Sequence, residues 1–183
     1  MRKKVLLLVL IPILLLSFTA CDKKKKVEKE KDDRKSIVLK DSGFGYKTTF
    51  KYDKKDDYSD VEEEKSGKST QISFDNEDLD LEFEMYYTSM SSDSYKTTEE
   101  ARSKQKYYKK YKFGKYNAYA YGEYDSGLYM NILLETTDDN TANILFVSID
   151  RLDNDKEKIV SDLVAGKEVQ ALFNTIKVEK YKG

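Results

Sequence analysis

Residues 79–87 read LDLEFEMYY. Leu79, Leu81, Phe83, Met85 and Tyr87 alternate with Asp80, Glu82, Glu84 and Tyr86. A period of two held over nine residues predicts a β-strand with one face buried and one wet. The same period recurs on either side. Upstream, Phe44, Tyr46, Thr48, Phe50 and Tyr52 alternate with Gly45, Lys47, Thr49 and Lys51. The polar run 53–60 reads as a loop, Val61 to Lys65 as a short edge strand, and Ser66-Gly67 as a turn. Thr70, Ile72 and Phe74 then alternate, and DNED at 75–78 turns the chain into the strand at 79–87. Downstream, 116–124 and 128–135 are strands joined by Asp125-Ser126-Gly127, and 143–149 follows the loop TTDDNTA.

Helices are expected between these strands. With Thr97 as N-cap, Glu100 falls at the third helical position and completes a capping box. That helix is expected to run through EEARSKQKYYKKY to Phe113 and to end at Gly114. A second is expected from near Asn154, with Ile159, Val160, Leu163 and Val164 on one face, stopping near Gly166. Val169, Leu172 and Phe173 continue as a short helix, and Ile176 to Val178 as a last strand. Strands, helix, strands, helix, joined mostly by hairpins, predict an α+β fold with an antiparallel sheet flanked by helices. Residues 43–183 suffice for one hydrophobic core and are expected to form a single domain.

The first 42 residues are built differently. Arg2, Lys3 and Lys4 precede an apolar run from Val5 to Leu16, and the small residues Thr19 and Ala20 stand before Cys21, the only cysteine of the 183 residues. A positive start, a short apolar stretch and small residues before a cleavage point describe an export signal. The apolar run is shorter than the roughly 20 residues a spanning helix needs. The FTAC sequence at 18–21 resembles the lipobox of bacterial lipoproteins. The resemblance implies a signal peptide at 1–20, cleavage before Cys21, a diacylglyceryl group on the Cys21 thiol, and a protein anchored to the membrane from outside the cytoplasm.

Residues 22–35, DKKKKVEKEKDDRK, hold eight basic and five acidic residues and one apolar residue. Such a segment cannot bury a core, so 21–42 is expected to be a charged, disordered tether. Its basic excess contrasts with 36–183, where 29 acidic residues face 22 basic ones. The lysines after the lipid are suited to anionic headgroups, each contributing about 1 kcal/mol near the surface. Solubility of the linker alone also accounts for them.

The chain has no histidine. That excludes Ser-His and Cys-His nucleophile pairs and the usual His/Cys zinc sites. Gly67-Lys68-Ser69 lacks the upstream glycine of a phosphate loop, because Glu62 stands there. Ser103-x-x-Lys106 lacks the companion motifs of the penicillin-binding enzymes. The acidic run 150–157 lacks the glycine and glutamate of an EF-hand, with Lys158 and Val164 in their places. No cofactor and no metal are expected.

Three stretches, GFGYKTTFKY at 43–52, KFGKYNAYAYGEY at 112–124 and LFNTIKVE at 172–179, give the chain a pattern that resembles the PsbP-like fold, an antiparallel sheet with flanking helices that also occurs in small bacterial lipoproteins. Members of that fold serve unrelated ends, so the resemblance implies a fold and no activity.

One run stands out for binding. Arg102 to Lys115 holds seven basic residues and no acidic one, interleaved with Tyr107, Tyr108, Tyr111 and Phe113. On the expected helix Lys106, Lys109 and Lys110 share a face and become candidates for binding an anionic envelope polymer. The plainer reading buries the tyrosines on the sheet and solvates the lysines. The expectation is therefore a non-catalytic binding or scaffolding domain at the cell envelope. Its partners are the membrane, through Cys21, and an anionic polymer or envelope protein, with no nucleic acid. The alternative is a small envelope enzyme using Asp and Glu carboxylates.

Overall fold

The structure is a computed structural model that describes residues 32–123, 127–152 and 159–183. Cys21, the signal sequence and most of the charged tether lie outside the described residues, as do the turn at 124–126 and the expected helix start at Asn154. The folded unit runs from Asp33 to Gly183. Its elements are β1 (Lys35–Asp41), β2 (Tyr46–Tyr52), β3 (Tyr58–Ser66), β4 (Ser69–Asn76), β5 (Leu81–Ser91), α1 (Ser92–Arg102), β6 (Tyr107–Phe113), β7 (Tyr116–Glu123), β8 (Gly127–Thr136), β9 (Thr141–Arg151), α2 (Val160–Ala165), α3 (Lys167–Asn174) and β10 (Lys177–Lys180).

The strands form two sheets, β1-β2-β10 and β3-β4-β5-β9-β8-β7-β6, with every pairing antiparallel. This is the α+β class expected, with strands dominant and the helices short. β5 and β9, 11 residues each, are the longest shared ribs. Leu81, Phe83, Met85 and Tyr87 point into the main core, and across the ladder Phe83 pairs with Ile149 and with Phe74. Phe74 and Phe83 stack with ring centroids 4.9 Å apart. The small sheet and α2–α3 close that core from the same side, through Phe50, Val160, Val164 and Phe173. The alternation expected on β2 holds, with Tyr46, Thr48, Phe50 and Tyr52 buried. A buried hydroxyl pair, Tyr87 donating to Thr48 Oγ1 at 2.6 Å, fixes one sheet on the other.

Three expectations need correction. The expected tether at 21–42 overlaps the fold, because β1 lies within it and buries Ile37 and Leu39. Alternation in IVLKD is only five residues long and follows a run of charges, which hid it. The expected helix to Phe113 ends at Arg102, and it starts earlier, with Ser91 as N-cap accepting from the Ser94 N–H at 3.1 Å. Thr97 is mid-helix. Residues 107–113 are instead the edge strand β6, joined to β7 by the two-residue turn Gly114-Lys115. Gly114 has φ +58°, so it is a hairpin glycine at the first turn position, a place that suits it as well as a helix end does. Finally, Asp80 is buried in the turn before β5 at φ +60° and does not sit on the wet face.

Candidate functional site

The face of the large sheet opposite the main core carries the even-numbered residues of β5, and they do not read as a simple solvated face. Glu82, Glu84 and Tyr86 stand opposite Asp150, Ser148 and Phe146 of β9. Tyr129 of β8 is opposite Ser148, and Tyr121 of β7 is opposite Tyr129. The antiparallel register therefore sets one ring beside the next across four strands. Ring centroids are 4.9 Å apart for Tyr86–Phe146, 5.8 Å for Phe146–Tyr129 and 5.6 Å for Tyr129–Tyr121. The ladder continues to Tyr119 at 5.7 Å from Tyr121, and from Tyr119 to Tyr108 on β6 at 6.0 Å. Each such contact is worth about 0.5–1.5 kcal/mol beyond burial.

Helix α1 covers one end of this ladder. Tyr95 packs on Tyr119 at 5.7 Å, and a second, smaller core forms from Tyr95, Tyr119, Tyr121, Ala142 and Ile144. Asn131 Nδ2 donates to the Tyr119 hydroxyl at 2.9 Å, so the buried phenol is satisfied. In the last turn of α1, Arg102 places its guanidinium 4.8 Å from the centre of the Tyr121 ring. Beyond Tyr121 the ladder comes out from under the helix. Among the described residues no element lies over Tyr129, which is 44% exposed, or over the half-buried Phe146 and Tyr86.

An open groove of about 440 Å³ marks the boundary between the covered and open parts, lined by Arg102, Gln105, Lys106, Tyr121, Gly127, Tyr129 and Asp150 among others. Gly127 shapes it. A Cβ at this position would sit 2.1 Å from Asp150 Oδ1, so the bare backbone lets the carboxylate lie across β8. Ser148 Oγ donates to the other oxygen, Oδ2, at 2.8 Å and holds the group there.

Carboxylates rim the open part. Glu62, Glu64, Asp75, Glu82, Glu84 and Asp150 project on this face from β3, β4, β5 and β9 by their register. Burial, and then the neighbouring charges of Asp75, Asp150 and Glu84, push the Glu82 carboxyl above its usual range. Asp75 is raised likewise, by burial and then by Asp60 and Glu62. Crowding of like charge on adjacent strands costs stability, so this surface is kept at some expense. Among the described residues no group of three or more Asp, Glu, Cys or His is arranged to hold a metal ion.

The expected lysine site is not assembled. Lys106 lies after α1, at the groove. Lys109 and Lys110 are consecutive on β6 and therefore point to opposite faces. The Lys109 ammonium lies 5.3 Å from the Tyr111 ring, and Lys110 pairs with Glu99 at 2.7 Å. Burial works against the charge on Glu99, but the bonds from Lys110 and Tyr108 outweigh it and hold its carboxyl below the usual range. The plainer reading of the tyrosines holds in part, since Tyr107 and Tyr111 pack on the main core and Tyr108 on the smaller one. The ladder itself was missed. Its signal was present in LYMNIL at 128–133 and NILFVSI at 143–149, which are apolar on both alternating faces and so imply a sheet partly covered on both sides.

Among the described residues no helix is long and apolar enough to cross a membrane. Compared with known proteins, the chain matches no family model, no curated protein and no solved structure.

Proposed function

We propose that this chain is a lipid-anchored binding domain on the outer side of a bacterial membrane, without catalytic activity of its own. Anchoring follows from the order of Arg2-Lys3-Lys4, the apolar run and FTAC, with the lipid on Cys21. The lysines at 23–26 add electrostatic attraction to anionic headgroups, which supplements the acyl chains. The fold is assigned to the PsbP-like group. Its antiparallel sheet, with α2–α3 packed on one face and α1 on the other, supports that assignment.

Binding is carried by one observation: the aromatic ladder runs out from beneath α1 onto a sheet face that no element among the described residues covers. Rings that α1 does not need for its own packing are expensive to leave in water, since burying an aromatic side chain is worth about 1.5–3 kcal/mol. A run of rings with Tyr129 exposed and Phe146 and Tyr86 half-buried marks a surface that a partner covers. The partner is an envelope protein or an envelope polymer. The enzyme alternative would draw on Glu82 and Asp150, but both are exposed on an open surface, where little excludes water from the chemistry.

The anchor is tested by growing cells with labelled palmitate. The parent should incorporate label and fractionate with membranes. Cys21→Ala should lose the label and accumulate as the longer precursor. Label retained by Cys21→Ala refutes the anchor.

A further inference from the structure

We infer that the open end of the aromatic ladder is the docking site of a cationic polypeptide segment, which lays Arg or Lys side chains on Tyr129 and Phe146 among the surrounding carboxylates. This rests on reading the chain as a binding domain and names the chemistry of its ligand.

The ladder already holds one cation. Arg102 sits 4.8 Å over Tyr121, and the next ring, Tyr129, lies 5.6 Å further along and is 44% exposed. What the chain does for itself at Tyr121, a ligand can repeat at Tyr129, because a cation over a ring face gains from the ring's negative quadrupole.

Charge selects the same class of ligand. The register puts Glu84 and Ser148 in the row of Tyr129, and Glu82 and Asp150 in the next row. Asp150 is held across the bare backbone of Gly127 in the groove that Tyr129 lines. A ring face beside a carboxylate suits a guanidinium, which stacks through its plane and donates from its edge. Gln105 lines the same groove, and its Oε1 accepts no bond among the described residues. Six carboxylates on one face repel one another, and a polycation relieves that repulsion where a neutral sugar would not. An anionic polymer would meet like charge here.

The test uses the full chain, purified in a neutral detergent, and a fluorescent arginine decapeptide as probe. Anisotropy is followed between about 20 and 300 mM salt, a range over which screening of exposed charge changes several-fold. Combining Glu82→Gln, Glu84→Gln and Asp150→Asn should weaken binding tenfold or more at low salt and flatten the salt dependence. Tyr129→Ala should weaken it about two- to fivefold with the salt slope unchanged, the range a cation–π contact at an exposed site supplies. Tyr129→Phe should bind like the parent, which guards against a folding defect in the alanine variant. Neutralising Asp93, Asp138 and Glu168, which lie elsewhere, should change binding less than twofold. If that remote triple matches the face triple, or Tyr129→Ala binds like the parent, the peptide reads only net charge and the site is refuted. A neutral glucan oligosaccharide that binds through Tyr129 while the peptide does not would also overturn it, in favour of a sugar-binding face. Lipid labelling bears on the anchor alone, because this assay needs no lipid.

Discussion

Asp41 gives the sharpest test of how the two sheets are joined. It ends β1, is 1% exposed, and is aimed inward. One carboxylate oxygen accepts the Phe44 N–H at 2.8 Å and the other accepts the Thr70 N–H at 2.6 Å. The first bond closes the turn between β1 and β2, and the second reaches β4 of the large sheet. Gly43 packs beneath the group. Its N–H donates to the Lys68 carbonyl at 3.1 Å, and a Cβ there would come within 3.2 Å of Asp41 Oδ1. Asp41→Ala leaves the buried Thr70 N–H and the part-buried Phe44 N–H without acceptors. Each costs about 1–3 kcal/mol, so the variant should lose about 4 kcal/mol. Asp41→Asn keeps one acceptor and turns an NH2 toward the other N–H, and should lose about half as much. With a urea m-value of about 2 kcal/mol/M, the alanine midpoint should fall by roughly 2 M and the asparagine midpoint by roughly 1 M. Against a domain stability of about 5–15 kcal/mol, the alanine variant stays measurable in most of that range. Urea unfolding followed by tyrosine fluorescence and by far-UV circular dichroism reads both. An alanine midpoint within about 0.3 M of the parent, the error of such extrapolations, would refute the claim that this carboxylate clamps the sheets.

Two further outcomes are expected. A chain beginning at Gly43 lacks β1 with Ile37, Leu39 and Asp41, and should be unfolded by circular dichroism, whereas one beginning at Asp33 should fold. Glu135 on β8 accepts from Lys180 at 2.5 Å and from the Tyr46 hydroxyl, and those bonds hold its carboxyl below the usual range. Its folded value is depressed, so its contribution is present above the unfolded value near 4.5 and lost as pH falls through the folded one. Glu135→Gln should therefore cost about 0.5–1 kcal/mol at neutral pH, a range set by the pair's partial exposure, and less near pH 3. An equal cost at both pH values in urea melts would show that the charge is irrelevant.

The parts of this fold that the sequence shows are those where one face is wet. β2 and β5 alternate cleanly because each has a single buried side, and the edge strand β3 shows through its charges, DVEEEK, which protect an unpaired edge. The strands in the middle of the large sheet lie between the main core on one side and α1 with the ladder on the other. Their second face is invisible to a period of two, because apolar residues on both sides erase the alternation. An aromatic surface built across four strands has a further obstacle. Tyr86, Phe146, Tyr129 and Tyr121 are scattered over 61 positions of the chain, and only the registers of three ladders bring them together, in two adjacent rows.

Residues 104–113 show how a local misreading moves a site. KQKYYKKYKF has lysines at helix-like spacing, and lysine tolerates a helix well. Yet three tyrosines and a phenylalanine lie in seven residues, and such rings favour strands. Gly114-Lys115 completes the hairpin with NAYAY beyond it. On a helix, Lys106, Lys109 and Lys110 would converge on one face. On a strand, Lys109 and Lys110 diverge by construction, and Glu99 of α1 takes the second as an ion pair. The cationic surface that the helix would have made does not form. The basic residues become the border of a face whose own charge is negative, with Arg102 seated on its Tyr121 ring. The sign of the proposed ligand reverses with the secondary structure, because whether a charge serves a site depends on which side of the backbone it leaves.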